Sequence, residues 1–173
     1  MKMSDNREIA ADRATVWAAL LSPEALRECV PGAQEVSGTP EDGFEATVVQ
    51  KVGPVKATFK GSVTISDMIE PESLTLSGTG KGGTAGHAKG SAAVRLEEIE
   101  GGTRLHYDVE ASVGGKLAQL GSRIVDGFAK RMADQFFARL EAAVVPPEET
   151  PEVEADSAEG EALKKGWFRR MMG

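Results

Sequence analysis

Arg104-Leu105-His106-Tyr107-Asp108-Val109-Glu110-Ala111-Ser112-Val113 runs, after Gly114-Gly115, into Lys116-Leu117-Ala118-Gln119-Leu120-Gly121-Ser122-Arg123-Ile124 and on to Ala143. In the first stretch every second residue is apolar, the period of a strand with one wet and one covered face. In the second, Leu117, Leu120, Ile124, Phe128, Met132, Phe136 and Leu140 recur at helical spacing, with Lys116, Arg123, Lys130, Asp134 and Arg139 off the stripe. The switch of period predicts a helix over about 116–143, directly after a strand. A helix with one apolar stripe has to bury it, and the covered face of the sheet is the surface on offer.

Upstream, the period of two recurs. Phe44, Ala46, Val48 and Val52, then Ala57, Phe59, Val63 and Ile65, then Leu74 and Leu76, then Ala92, Val94 and Leu96 alternate with polar neighbours. Glu41-Asp42-Gly43, Gly53-Pro54, Glu70-Pro71-Glu72, Gly82-Gly83 and Gly101-Gly102 punctuate them. Before this meander the sequence predicts a short strand near residues 3–10. A helix capped by Asp12 follows, carrying Trp17, Leu20 and Leu21. A second helix opens at Ser22-Pro23 and ends at Cys29-Val30-Pro31-Gly32. The order is strand, two short helices, five or six antiparallel strands and one long helix. The fold class is α+β, a curved sheet gripping a long helix with a hollow between them.

The chain has 173 residues and a formal charge of −7. Prolines and seven acids crowd residues 146–161, and four cations with no acid fill 162–173. The expected organisation is a domain over 1–145, an acidic tether over 146–161 and a basic tip over 162–173. Removing both tail segments leaves −4 on the body, a poor match for nucleic acid. One cysteine, Cys29, excludes an internal disulfide and suits a reducing compartment. No signal-peptide core or run long enough for a span is visible, so the expected place is the cytoplasm, with any membrane contact peripheral.

In the tip, Leu163, Trp167 and Met171 fall near one side of a helix, flanked by Phe168 and Met172. Lys165, Arg169 and Arg170 fall opposite, and Lys164 has to snorkel. Burying Trp167 and Phe168 contributes about 1.5–3 kcal/mol each, and each cation adds about 1 kcal/mol on an anionic leaflet. Membrane attachment is the leading expectation; a disordered tail and a segment for a partner's groove are the others.

Within the body, Gly78–Gly90 lacks a phosphate loop's Gly-Lys-Ser/Thr ending and its parallel strand-loop-helix setting. It is expected to be a glycine-rich hairpin whose absent side chains open space at a cavity mouth. His106 belongs to the wet face; His87, in the hairpin, is a candidate at the mouth. Two histidines and one cysteine make no convincing metal site. Asp108 and Glu110 share the wet face with Arg104, as an ion-pair ladder would. Tyr107 and Gln50 fall in apolar registers, so their polar atoms need a neighbour, the backbone or a ligand. Phe59, Val63, Leu76, Leu96, Leu117, Leu120, Ile124 and Phe128, with Gln50, His87 and Tyr107, are the candidate lining of the hollow. Packed core is the alternative for the apolar ones.

Cys29-Val30-Pro31-Gly32-Ala33, Gly53-Pro54-Val55-Lys56, the Gly78–Gly90 hairpin and Gly114-Gly115-Lys116-Leu117-Ala118-Gln119-Leu120-Gly121-Ser122-Arg123, with Phe136-Phe137, resemble the CoxG family of carbon monoxide dehydrogenase subunits over about residues 5–144. The resemblance implies a START-like helix-grip fold with an apolar cavity. It implies a non-catalytic accessory protein of a molybdenum carbon monoxide dehydrogenase, or a related molybdenum hydroxylase, that tethers the enzyme to the inner face of the cytoplasmic membrane. A quinone, menaquinone or ubiquinone, suits the cavity. A cyclase- or aromatase-type enzyme using Tyr107 or His87, and a ligand-free maturation factor, are the rival expectations.

Overall fold

The computed structural model describes residues 1–145; the expected tether, 146–161, and tip, 162–173, lie outside them. The decisive strand is Gly102–Gly114 (β7), whose alternation buries Leu105 and Tyr107 and leaves Asp108 and Glu110 outside. Lys2–Ile9 (β1) pairs with it antiparallel on one side and His87–Ile99 (β6) on the other. Ala33–Thr39 (β2), Gly43–Val52 (β3), Val55–Ile69 (β4) and Ser73–Lys81 (β5) complete a seven-stranded antiparallel sheet in the order β1-β7-β6-β5-β4-β3-β2.

Two helices fill the step between β1 and β2. The Asp12 carboxylate accepts the Thr15 N–H at 2.8 Å and starts Arg13–Leu20 (α1). Ser22 Oγ accepts the Ala25 N–H at 3.2 Å and starts Pro23–Cys29 (α2), with its proline in the first turn. The glycine-rich segment is indeed a hairpin: β5 and β6 are joined by a single 3-10 turn, Gly83–Ala85.

The inner face of that hairpin is nearly bare. Gly61 pairs with Gly80 and Gly78 with Gly90. A Cβ on Gly61 would stand 2.7 Å from the Thr79 carbonyl oxygen, and one on Gly90 2.7 Å from that of Glu110. The neighbouring backbone occupies the space a side chain needs, so these positions let the sheet curl inward.

One expectation is corrected. The segment after β7 is two helices, Lys116–Gln119 (α3) and Ser122–Val144 (α4). The break falls at Gly121, whose φ of +91° is a backbone state foreign to a right-handed helix and cheap only for glycine. α4 lies across the concave face. Leu140, 1% exposed, joins Trp17 of α1, Cys29 of α2 and Leu74, Leu96 and Leu105 of the sheet in the core. Val52, Ala85 and Leu117 are buried apart from that cluster, at the other end of the molecule.

Candidate functional site: an apolar cavity with one hydroxyl

The hollow expected between sheet and helix is present. A cavity of about 310 Å³ is walled by Phe44, Ala46, Val63, Leu76, Ala92, Val94, Leu105, Tyr107 and Val109 of the sheet, with Met3 and Val36 from its edge strands. Leu20, Leu26 and Val30 come from the α1–α2 segment, and Ala133, Phe136 and Phe137 from α4. A dry apolar cavity of about 150 Å³ accommodates benzene; this one is twice that size, room for a two-ring group or a short branched chain. Its wall holds one side chain able to hydrogen-bond strongly, Tyr107.

That hydroxyl has a specific setting. The Tyr107 ring stacks on Phe137 with centroids 5.1 Å apart, and Phe137 in turn meets Phe136 edge-on at 5.1 Å. Arg7, on the inward register of β1, lies over the Phe137 ring at 5.2 Å. Its Nη2 donates to Asp134 of α4 at 2.5 Å and makes a long 3.5 Å contact to the Tyr107 oxygen. Burial works against the Arg7 charge, but hydrogen bonds to Asp134 and Tyr107 outweigh it and hold the guanidinium above its ordinary value. The hydrogen bond from Arg7 holds the Asp134 carboxyl below its ordinary value, with Lys130 adding to the effect. A guanidinium only donates, so Tyr107 receives from it and keeps its own proton. Among the described residues nothing accepts that proton. Tyr107 is thus the one strong hydrogen-bonding side chain of an otherwise apolar wall.

The expected lining residues separate into two sets. Val63, Leu76 and Tyr107 are in the wall. The others are elsewhere, each for a local reason. Gln50 donates its amide to the Pro31 carbonyl and ties β3 to the turn after α2, so the backbone satisfies it. The Phe59 ring covers Gly82, in the space a side chain there would fill. Leu96 is 2% exposed within the solid core, and Leu117 is buried below the 3-10 turn end. Phe128 is half-buried outside the wall, and Leu120 and Ile124 pack on the β3–β4 turn at Gly53. Ile124 is 38% exposed and lies outside the cavity wall, because the first turns of α4 overhang the β3–β4 turn and not the middle of the sheet. His87 is exposed on the outer register of β6, opposite Gly114, and points away from the cavity.

The expected ladder of Asp108 and Glu110 with Arg104 is not formed; the wet-face contacts join other residues. Arg104 bridges Glu8 at 2.7 Å and Glu97 at 3.5 Å; His106 meets Glu97 at 2.9 Å; Asp108 accepts from Ser4 at 2.5 Å. The His106 hydrogen bond, with Arg104 behind it, holds the Glu97 carboxyl below its ordinary value. Burial pushes the Cys29 thiol up, as suits a small core residue and not a nucleophile. Among the described residues no group of three or more His, Cys, Asp or Glu is placed to hold a metal ion, and no helix is long and apolar enough to cross a membrane.

Arg7 and Asp134 are the charged residues at the site that periodicity did not reveal, beside wall residues such as Leu26 and Val30. The signal for Arg7 was available: it stands between Met3 and Ile9 in one strand register, a cation on a covered face.

A curved antiparallel sheet closed by a C-terminal helix over an apolar chamber defines a START-like helix-grip protein. The model of the CoxG family of carbon monoxide dehydrogenase subunits matches residues 6–145, and the chain belongs to that family. Membership implies association with a carbon monoxide dehydrogenase. The chain is similar in structure to a conserved protein from Geobacillus kaustophilus, at 26% identity and a TM-score of 0.78, over 83% of this chain and 95% of that one. Proteins from Chromobacterium violaceum (18% identity, TM-score 0.61, 84% and 97% of the two chains) and Rhodobacter sphaeroides (20%, 0.61, 86% and 95%) share the fold. No curated protein matches the chain.

Proposed function

We propose that this protein is a non-catalytic lipid carrier for its dehydrogenase: the cavity takes the head group of a quinone or similar isoprenoid lipid, and the tip at 162–173 tethers the protein to the inner face of the cytoplasmic membrane. The observation that supports this most is the wall itself, in which Tyr107 is the one residue not wholly apolar. Such a chamber favours a ligand that is nearly all hydrocarbon with an acceptor oxygen at one end. A quinone carbonyl meets that description. Water leaves with little loss because few polar groups need it.

In this account Phe136, Phe137 and Tyr107 hold the ring by stacking and exclude water. The Tyr107 O–H donates to one carbonyl oxygen, and Arg7 orients that hydroxyl by occupying its oxygen. The reduction of the quinone belongs to the docked molybdenum enzyme. A cyclase-type reaction has Tyr107 to work with, but the hydroxyl's neighbour is an arginine, which cannot serve as a base.

Titrating a short-chain naphthoquinone into the full chain tests this. Tyr107→Phe keeps the ring and removes the donor, and is expected to weaken binding about 2- to 13-fold, the worth of one hydrogen bond. An unaltered affinity would remove Tyr107 from the site. Absence of any binding by the wild-type chain would remove the carrier.

A further inference from the structure

None of the 27 acidic residues falls within 46–66, 73–96 or 111–125. The fold carries the middles of these three segments to one end of the molecule. They supply the β3–β4 turn, the β5–β6 connection and the β7–α3–α4 junction. Contacts across that end are direct. A Cβ on Gly53 of the first turn would lie 3.4 Å from Ile124 and 3.9 Å from Leu120, and one on Gly115 would lie 2.7 Å from Gly86.

Six cations gather there: Lys51, Lys56, Lys60, Lys81, Lys116 and Arg123, all exposed. Lys51 stands directly opposite Lys56 across β3 and β4, and Lys60 directly opposite Lys81 across β4 and β5. Like charges in opposed positions destabilise a sheet. Among the described residues no carboxylate lies within ion-pair reach of any of the six. α4 begins at this end with no acid in its first turn and no side-chain cap, so the positive end of its dipole adds to the field. The exposed Ile124 lies beside the Gly53-Pro54 turn, next to Arg123 in sequence. Local costs of this kind, set together at one place, mark a surface kept for binding.

We infer that this acid-free end of the body is a docking face for an anionic lipid bilayer, separate from the tip at 162–173. Charge complementarity and an apolar point suit a headgroup layer. The cations are five lysines to one arginine, whereas protein interfaces enrich arginine and deplete lysine. Among the described residues no exposed aromatic side chain accompanies them for stacking nucleobases. The inference deepens the carrier reading, because a lipid cargo has to be collected from a bilayer. It also fixes a pose: α4, 23 residues and about 34 Å long, stands with Ser122 at the membrane and Val144 away from it. Residues 146–161 extend at most about 53–58 Å at 3.3–3.6 Å each, long enough for the tip to reach the same surface.

The test uses the full chain in two backgrounds, wild type and one with Lys164, Lys165, Arg169 and Arg170 changed to Gln. Each is mixed with vesicles of phosphatidylcholine alone or with about 30% phosphatidylglycerol. Lys51→Gln, Lys56→Gln and Lys60→Gln are then combined. At about 1 kcal/mol, or fivefold, for each cation near such a surface, the triple change is expected to lower partition onto anionic vesicles by at least tenfold in the tip-neutralised background. Binding to neutral vesicles and the melting temperature should not fall. If the tip-neutralised chain does not bind anionic vesicles at all, or the triple change leaves its partition unaltered, the body face is not a membrane surface, while quinone binding and the tip stand untouched. A triple variant that keeps its vesicle binding and loses affinity for the dehydrogenase would assign the face to an acidic protein and overturn the inference. Loss of the melting transition is controlled by Lys51→Arg with Lys56→Arg, which keeps the charge and should keep the binding.

Discussion

The two halves of α4 meet different worlds. From Ala133 to Leu140 the helix faces the cavity and core; Asp134 is tied to Arg7 and Lys130, and Leu140 is sealed. From Ser122 to Lys130 it overhangs the β3–β4 turn, with Ile124 exposed and Arg123 at an uncapped start. One stripe of apolar residues runs through both halves, and only one half uses it to close a chamber. Equal spacing in a sequence therefore does not mean equal burial. What lies under each turn is decided by where the helix begins, and Gly121 sets that beginning.

The largest effect that sharpens this contrast is on stability. Leu140→Ala is expected to cost about 2–5 kcal/mol, as for other sealed leucines, and Ile124→Ala less than about 1 kcal/mol. Chemical denaturation of the two variants measures both; comparable losses would mean the halves are packed alike. Next comes the chamber. Ala92 is in its wall, on the interior strand β6, between Leu76 and Val109. Ala92→Phe should fill the hollow and abolish ligand binding at a cost below the 1–3 kcal/mol or so that overpacking a solid core exacts. A larger drop would mean the space is filled already.

The like-charge pairs come third. Lys51→Gln and Lys81→Gln, one from each pair, should each raise stability by about 0.2–1 kcal/mol, read as a higher melting temperature. A decrease would show that these lysines support the fold. Acid titration has the smallest effect. Asp134 and Glu97 are held below their ordinary values, so their ion pairs contribute above about pH 4 and are lost as pH falls below it. Asp134→Asn should flatten that part of the unfolding-versus-pH curve while leaving the region above about pH 6 unchanged in slope.

Much of the architecture was written in the sequence, because each strand from β3 to β7 has one wet and one covered face, and the alternation records it. The caps at Asp12 and Ser22 and the hairpin at Gly78–Gly90 were legible for the same reason: a local rule fixes each. β2 was not distinct, since an edge strand reading Ala33-Gln34-Glu35-Val36-Ser37-Gly38-Thr39 buries little and alternates weakly. The cavity wall was legible only where the strands supply it, at Val63, Leu76 and Tyr107. Leu26 and Val30 enter from a short helix whose docking no periodicity encodes, and Ile124 and Phe128 leave because the helix start shifts them. The basic end is composed of segments up to about seventy residues apart, each unremarkable alone until the sheet order brings them together.

A chamber that carries a lipid quinone should retain it through purification. The direct measurement is mass spectrometry of solvent extracts from the full chain purified out of cells that contain quinone, wild type beside Ala92→Phe, both verified as folded. Quinone is expected in near-equal amount to wild-type protein, and none with the filled variant. A folded wild-type chain that brings no quinone, or a filled variant that brings as much, would contradict the carrier role.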